Sequence, residues 1–361
     1  MSKQITSEMV AKKAGVSRAT VSLILNGHLN RVGDETRKRV LKVMDELEYR
    51  PNLLARTMKT KRSQIIGIIV EGIAEGWFTK IFFGAEEELR KKGYQLLLSS
   101  LLFQKSSDKN LCDAVELLLS RQVDGIILIT SSIDREITPL KSIISSEIPL
   151  ILVNFYPTKE VQVPKIYLDY VEAGKISIQH FHSLGKREIA YIGTENLANL
   201  SSNMRGEVLK GFKKGLKEFG LPYIPEFIKI KEVNIDSSPR ERLEFSKGRL
   251  SCEIGKKAMA DILTLSERPD AVYCMHDHIA YGAIAAIQAE GLKIPEEVAV
   301  IGNNNLEPSE FIVPGLTSID MQLDRCGYLA ARSMLKLLEG EEVEMEVLGP
   351  VSLVVRSSTV V

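Results

Sequence analysis

Four short polar side chains, Ser17, Thr20, Ser22 and Asn26, are set among apolar residues in Ser17-Arg18-Ala19-Thr20-Val21-Ser22-Leu23-Ile24-Leu25-Asn26. Val21, Ile24 and Leu25 fall at i, i+3 and i+4 and so share an inward face of a helix. Ala19, Ser22, Leu23 and Asn26 are then left on the outer side, with Arg18 and Thr20 flanking the start. Such a face suits the major groove of DNA. Its small side chains permit close approach, its hydroxyls and amide bond base edges or phosphates, and Ala meets a thymine methyl.

The elements that must position this helix lie on both sides of it. Upstream, Thr6 is placed to cap a helix from Ser7 to Lys13 whose apolar side is Val10, Ala11 and Ala14, and Gly15 ends it. Ser17 offers a second cap after the corner Ala14-Gly15-Val16, so two short helices meet at a tight turn, the grammar of a helix-turn-helix. An ordinary helical hairpin with a solvated face shares this texture, and the segments downstream of Asn26 separate the two. Asp34 to Glu48 reads as a third helix with Thr36, Val40, Val43, Met44 and Leu47 inward. Pro51 then suits the first turn of a further short helix.

The run Val16-Ser17-x-x-Thr20-Val21-Ser22, the closing Asn26-Gly27, the Thr36-Arg37 start and Tyr49-x-Pro51-Asn52-x-x-Ala55-Arg56 resemble the DNA-binding headpiece and hinge of the LacI/GalR (lactose repressor) family. The resemblance implies a homodimer on a palindromic double-stranded operator, with the second helix of each subunit in a major-groove half-site and paired hinge helices in the minor groove. Met58 stands where the family usually carries a leucine that wedges a base step, and it would serve either as that wedge or as packing. Leu23 stands where many members carry an arginine, which moves base reading toward Arg18, Ala19 and Ser22. The candidate DNA contacts are Thr6, Ser17, Arg18, Ala19, Thr20, Ser22, Leu23, Asn26, His28, Arg31, Asn52, Ala55, Arg56 and Met58.

The formal net charge of zero conceals a division: residues 1–64 carry 14 Lys and Arg against 6 Asp and Glu, and the remainder 33 against 41. A basic headpiece favours phosphate contact, and an acidic body discourages nonspecific binding. Cys112, Cys252, Cys274 and Cys326 are widely spaced, form no metal-ligand cluster, and fit the free thiols of a reducing cytoplasm. The charged start carries no signal peptide and no apolar run reaches membrane-spanning length, so a cytoplasmic protein without membrane attachment is expected.

Beyond a basic linker at Lys59 to Ser63, fully apolar short strands alternate with helices: strands at Ile65 to Val70, Tyr94 to Leu98, Gly125 to Ile129 and Leu150 to Val153, then a second series from Glu188. This texture predicts two doubly wound parallel-sheet lobes with ligands beyond the carboxyl ends of the strands. The expected division is a helix-turn-helix headpiece at 1–48, a hinge helix and linker at 49–64, and an effector-binding and dimerisation core at 65–361. Lobe 1 is expected at about 65–167 and 303–322, and lobe 2 at about 168–302 and 323–361. Asp124-Gly125-Ile126-Ile127, Leu184-Gly185-Lys186-Arg187, Pro295-x-x-Val298-Ala299-Val300-Ile301-Gly302 and Pro314-Gly315-Leu316-Thr317-Ser318-Ile319 extend the resemblance. It implies a periplasmic-binding-protein-like core that takes a small effector, a carbohydrate, sugar derivative or nucleoside, and couples it allosterically to DNA binding.

Candidate effector residues follow strands: Trp77, Phe78, Thr130, Asn154, Asp169, Arg205, His276 and Asn304. Trp77 and Phe78 suit stacking on a ring or packing under a loop, and Asp169 suits a ligand contact or a helix cap. Val208 replaces an arginine frequent among sugar-binding members, with Arg205 one turn earlier. His276-Asp277 replaces Asn-Asp, with Asp277 expected to cap the helix His278 to Glu290. Asn303-Asn304-Asn305 replaces aromatic-Asp-Asp. No nucleophile, acid–base, phosphate-loop or metal spacing is present, so neither catalysis nor a cofactor is expected, and His180 and His182, at i and i+2, face different ways. The expected function is a sequence-specific transcriptional repressor gated by its effector. A partner-gated regulator with a degenerate cleft and a solute-binding protein are the alternatives.

Overall fold

The structure is a computed structural model that describes residues 5–25, 31–49, 62–70, 76–101, 108–129, 138–154, 162–196, 204–233 and 248–360. Two compact units divide at Ser63 and Gln64.

The smaller unit holds α1 (Ser7–Ala14), α2 (Arg18–Leu25) and α3 (Asp34–Glu46). Thr6 Oγ1 accepts the Met9 N–H at 3.4 Å, and Gly15 ends α1 at φ 63°, where a side chain would be strained. Val10, Ala11, Ala14, Val21, Ile24, Val40 and Val43 make one small core, with Leu25, Met44, Leu47 and Tyr49 packed against it. Burying these side chains is what holds three helices of such short length, since each is marginal alone.

The larger unit has two sheets. In lobe 1 the strands are β1 (Ile65–Val70), β2 (Gln95–Ser100), β3 (Gly125–Ile129), β4 (Leu150–Val153), β5 (Lys165–Leu168) and β11 (Glu346–Gly349), in the order β11-β5-β4-β3-β1-β2 and parallel throughout. Helices α4 (Gly76–Lys91), α5 (Asp108–Ser120), α6 (Thr138–Ser145) and α12 (Leu323–Glu339) belong to this lobe. Alternate residues face opposite sides. Ile66, Ile68, Ile127 and Ile151 join Phe78, Ile81 and Met334, whereas Ile69, Ile126 and Leu128 join Leu111, Leu118 and Ile143. Coverage of both faces explains why β1, β3 and β4 are continuously apolar.

In lobe 2, β6 (Ile189–Asn196), β7 (Ile228–Val233), β8 (Ala271–Cys274), β9 (Ala299–Asn303), β10 (Thr317–Asp320) and β12 (Ser352–Val354) lie in the order β12-β10-β9-β8-β6-β7. Only β12 is antiparallel to its neighbour. Its helices are α7 (Tyr170–Ser183), α8 (Met204–Glu218), α9 (Arg249–Leu263), α10 (Asp277–Ala289) and the short α11 (Pro308–Phe311). All four cysteines are free thiols.

The lobes divide differently from the expectation. Thr317–Asp320 adds to lobe 2, next to β9, and not to lobe 1. Leu323–Gly349 returns to lobe 1, where α12 lies along α4 and β11 pairs with β5; β12 then goes back to lobe 2. The reason is the apolar stripe of α12, with Leu323, Cys326, Gly327, Ala330, Ala331 and Met334 buried. Periodicity shows that a helix has such a face but not which sheet it covers.

Three helix pairs cross closely through reciprocal glycines. A Cβ on Gly84 of α4 would collide with the Asp324 carbonyl, and one on Gly327 of α12 with the Ile81 carbonyl. Gly255 and Gly282 make the same fit between α9 and α10, and Gly174 and Gly211 between α7 and α8. Backbone thus packs on backbone, and a methyl group has nowhere to go. Gly84→Ala and Gly327→Ala should each lower stability by about 1–3 kcal/mol through overpacking, against a helix-propensity gain of up to about 1 kcal/mol. Urea unfolding of each variant measures the balance, and a net gain in stability would show that the helices separate at no cost.

Candidate nucleic-acid interface and ligand cleft

In the headpiece, the Ser17 hydroxyl accepts the Thr20 N–H at 3.1 Å and meets the Thr20 hydroxyl at 2.9 Å. Both side chains therefore hold the start of α2 as well as standing on its outer side. Arg18, Ala19 and Arg31 are exposed, and Ser22 and Leu23 half-buried. Thr6 is exposed and spends its oxygen on capping α1. Lys13 and Glu46 pair at 2.8 Å on the surface, joining α1 to α3. Asn26, His28, Asn52, Ala55, Arg56 and Met58, together with most of the expected hinge at 49–64, lie outside the described residues.

In the core, the described candidates follow strands: Trp77 and Phe78 come in the helix after β1, Asn154 after β4, Asp169 after β5, His276 after β8 and Asn304 after β9. The segments that come after β1, β3, β6 and β7 lie outside the described residues, and Thr130 is among them. Arg205 is in the first turn of α8, its side chain likewise outside what is described. Phe78 is 3% exposed and packs with Phe82 at 6.1 Å between ring centres, so it belongs to the core. Trp77 beside it is half-buried against the same core. Asn154 is buried at the end of β4 with φ 56°. Asp169 caps α7, accepting the Glu172 N–H at 2.9 Å. His276 is half-buried and lies edge-on to His278 at 6.1 Å, which in turn meets Tyr281 at 5.7 Å. Burial holds the His278 pKa below its ordinary value, so that ring is uncharged at neutral pH. His180 bonds the Thr359 hydroxyl at 3.0 Å, while the His182 ring lies tilted against Phe219.

Asp277 does not cap α10. It is the first residue of that helix, His276 occupies the cap position, and the carboxylate reaches sideways. One oxygen accepts the Leu306 N–H and the other the Ser318 hydroxyl, both at 2.6 Å, and a side chain on Gly302 would collide with it. Asn305 extends this knot: its N–H donates to Ser318 Oγ at 3.0 Å and its Nδ2 to Asp320 at 3.2 Å, while its Oδ1 accepts Arg356 at 2.8 Å. Its carbonyl accepts Lys80 Nζ of α4 at 2.6 Å, so the loop after β9 in lobe 2 is tied directly to lobe 1. Sequence reasoning missed Lys80, Asn305 and Arg356. The φ of 45° at Asn305 suits asparagine, and that preference was the available signal.

Full burial raises the Asp277 pKa from 3.8 to about 7, opposed by the Ser318 and Leu306 hydrogen bonds and by the Lys80 charge. The unfolded chain releases this proton near pH 4 and the folded chain near pH 7. Asp277 therefore favours the folded state at low pH, and that contribution is lost as pH rises between about 4 and about 7, at about 1.4 kcal/mol per pH unit. Urea melts at pH 5 and pH 8 should show the wild type losing stability relative to Asp277→Asn. A constant difference between the two proteins would mean that the carboxyl titrates outside this window.

Residues 8–52 match the bacterial regulatory proteins of the lacI family, and residues 178–359 match the periplasmic binding protein-like domain. Catabolite control protein A of Priestia megaterium is 30% identical over 348 residues, covering 95% of each chain. The HTH-type transcriptional repressor PurR of Mannheimia succiniciproducens is 30% identical over 342 residues, covering 94% of each. The Lac repressor dimer bound to operator and the anti-inducer ONPF has the same fold, with a TM-score of 0.79 over 99% of this chain and 100% of that one, at 24% identity. The transcriptional regulator CelR–cellobiose complex gives 0.67 over 98% and 99%, at 25% identity. Identity at this level, held through headpiece and core alike, means that the chain belongs to the lacI family of bacterial regulatory proteins and is a DNA-binding transcriptional regulator with a periplasmic binding protein-like core.

Proposed function

We propose that this regulator is a cytoplasmic, homodimeric repressor that binds a palindromic operator and is switched by a small uncharged or sugar-derived effector held between its lobes. The observation that carries the proposal is similarity along nearly the whole chain to named repressors and regulators, one structural relative being a cellobiose complex. The basic headpiece, its exposed Arg18 and Ala19, and the small outer face of α2 support operator binding. Phe83, at 63% exposed in lobe 1, and Phe311 and Val313, at 72% and 83% in lobe 2, are large apolar side chains that a second copy would cover. No helix among the described residues is long and apolar enough to cross a membrane. Allosteric control follows if the effector has different affinity for two lobe arrangements.

Operator selection followed by titration at several salt concentrations tests the DNA half. Arg18→Ala should weaken binding to the selected site, and Met58→Ala should weaken specific binding more than nonspecific binding. Equal loss on both kinds of DNA would remove the wedge role from Met58. The ligand half is tested by thermal shift against sugars, sugar phosphates, nucleosides and purine bases. A ligand at about a hundred times its dissociation constant adds about 2.7 kcal/mol, a visible change in melting temperature. A hit that also changes operator affinity supports control by an effector, and its sign separates inducer from corepressor. Absence of any hit would favour gating by a partner protein.

A further inference from the structure

The three consecutive asparagines at the end of β9 have different surroundings. Asn305 is consumed by structure, with Arg356, Asp320, Ser318 and Lys80 bonded to its side-chain and backbone groups. Asn304, half-buried at φ 100°, is held by its N–H to the Ile319 carbonyl at 2.8 Å. Asn303 is 1% exposed, yet neither its Oδ1 nor its Nδ2 has a hydrogen-bond partner. A buried amide with both polar atoms unsatisfied is rare in folded proteins, because desolvation is then uncompensated.

Its position gives this orphan a use. Asn303 is the last residue of β9, opposite Ile319 of β10, at the carboxyl edge of the lobe 2 sheet. Side chains alternate along a strand, so Asn303 shares a face with Ile301, whose neighbours across the sheet are Tyr273 and then Tyr191. Those tyrosines pack on Phe212 of α8, with ring centres at 6.5 and 5.3 Å. Asn303 therefore lies one step beyond a closed aromatic layer, at the edge of the sheet where ligands enter doubly wound folds.

Resting on the proposed control by an effector, we propose that Asn303 is a ligand-recognising side chain, and that it selects an uncharged group presenting a hydrogen-bond donor beside an acceptor. A carboxamide offers one acceptor and two donors side by side. An anionic group brings acceptors alone and leaves Oδ1 unsatisfied, and an ammonium brings donors alone and leaves Nδ2 unsatisfied. Two sources share the required chemistry: the vicinal hydroxyls of a neutral sugar, and the edge of a nucleobase. The ionised groups of the neighbouring knot, Lys80, Arg356 and Asp320, are already engaged, as is Asp277.

The full-length wild type, Asn303→Leu and Asn303→Ala are compared by thermal melting without ligand. Each is then titrated with glucose, cellobiose, ribose, adenine, hypoxanthine and, as charged controls, glucose 6-phosphate and ribose 5-phosphate. Asn303→Leu, nearly isosteric and apolar, should melt above the wild type in the absence of ligand. Both variants should bind the neutral probe that shifts the wild type about tenfold or more weakly, since a lost hydrogen-bond pair is worth about a factor of ten or more. A sugar hit or a nucleobase hit assigns the source, and either supports the proposal. It is overturned if Asn303→Leu folds and melts at or below the wild type, because the amide is then satisfied. It is equally overturned if the variants keep the wild-type response, or if only the phosphorylated probes shift the wild type. Should Asn303→Leu fail to fold, the Asn303→Ala titration decides alone. A wild type that responds to no probe of either class removes control by an effector itself, and this inference with it.

Discussion

A carboxyl group sealed inside an apolar lobe is expensive unless its oxygens find donors. Asp277 meets that condition by drawing together three parts of the chain: the start of α10, the loop after β9 through Leu306, and β10 through Ser318. Gly302 leaves the space for it. The loop so held begins directly after Asn303, and its Asn305 carbonyl receives Lys80 from the other lobe. The path of this loop and the tie between lobes therefore depend on one buried acid. Hydrophobic packing supplies most of the stability of such a domain, but it does not by itself set the path of a loop.

The headpiece and the core are stabilised on different scales. Seven small buried residues from three short helices hold the first, with caps at Thr6 and Ser17 and a glycine stop at Gly15. Its second helix can be lined with small polar residues outside because Val21 and Ile24 suffice inside. The core instead buries both faces of the central strands of two six-stranded sheets.

What was legible in the sequence was whatever is local. Continuous apolar runs marked β1, β3 and β4, and the Gly15 corner marked the turn between α1 and α2. What was not legible was long-range. Nothing local says that α12 belongs with α4, or that β10 and β12 flank one another while β11 joins the other sheet. Asp277 looked like a helix cap because it stands at a helix start, and only the fold brings Leu306 and Ser318 to it. Phe78 looked like a partner of Trp77 at the cleft, but it is in the core, with Trp77 half-buried against that same core.

The glycine crossings bear on how such a molecule can move. Helices that touch backbone to backbone cannot slide or roll without collision, so each lobe behaves as a stiff lever. Three strands of chain connect the levers, after β5, after β10 and between β11 and β12. Three tethers side by side resist shear and leave bending and twisting about their common line as the soft directions. Displacement then grows with distance from that line, and the span of each lobe acts as mechanical gain on a few degrees of rotation at the cleft.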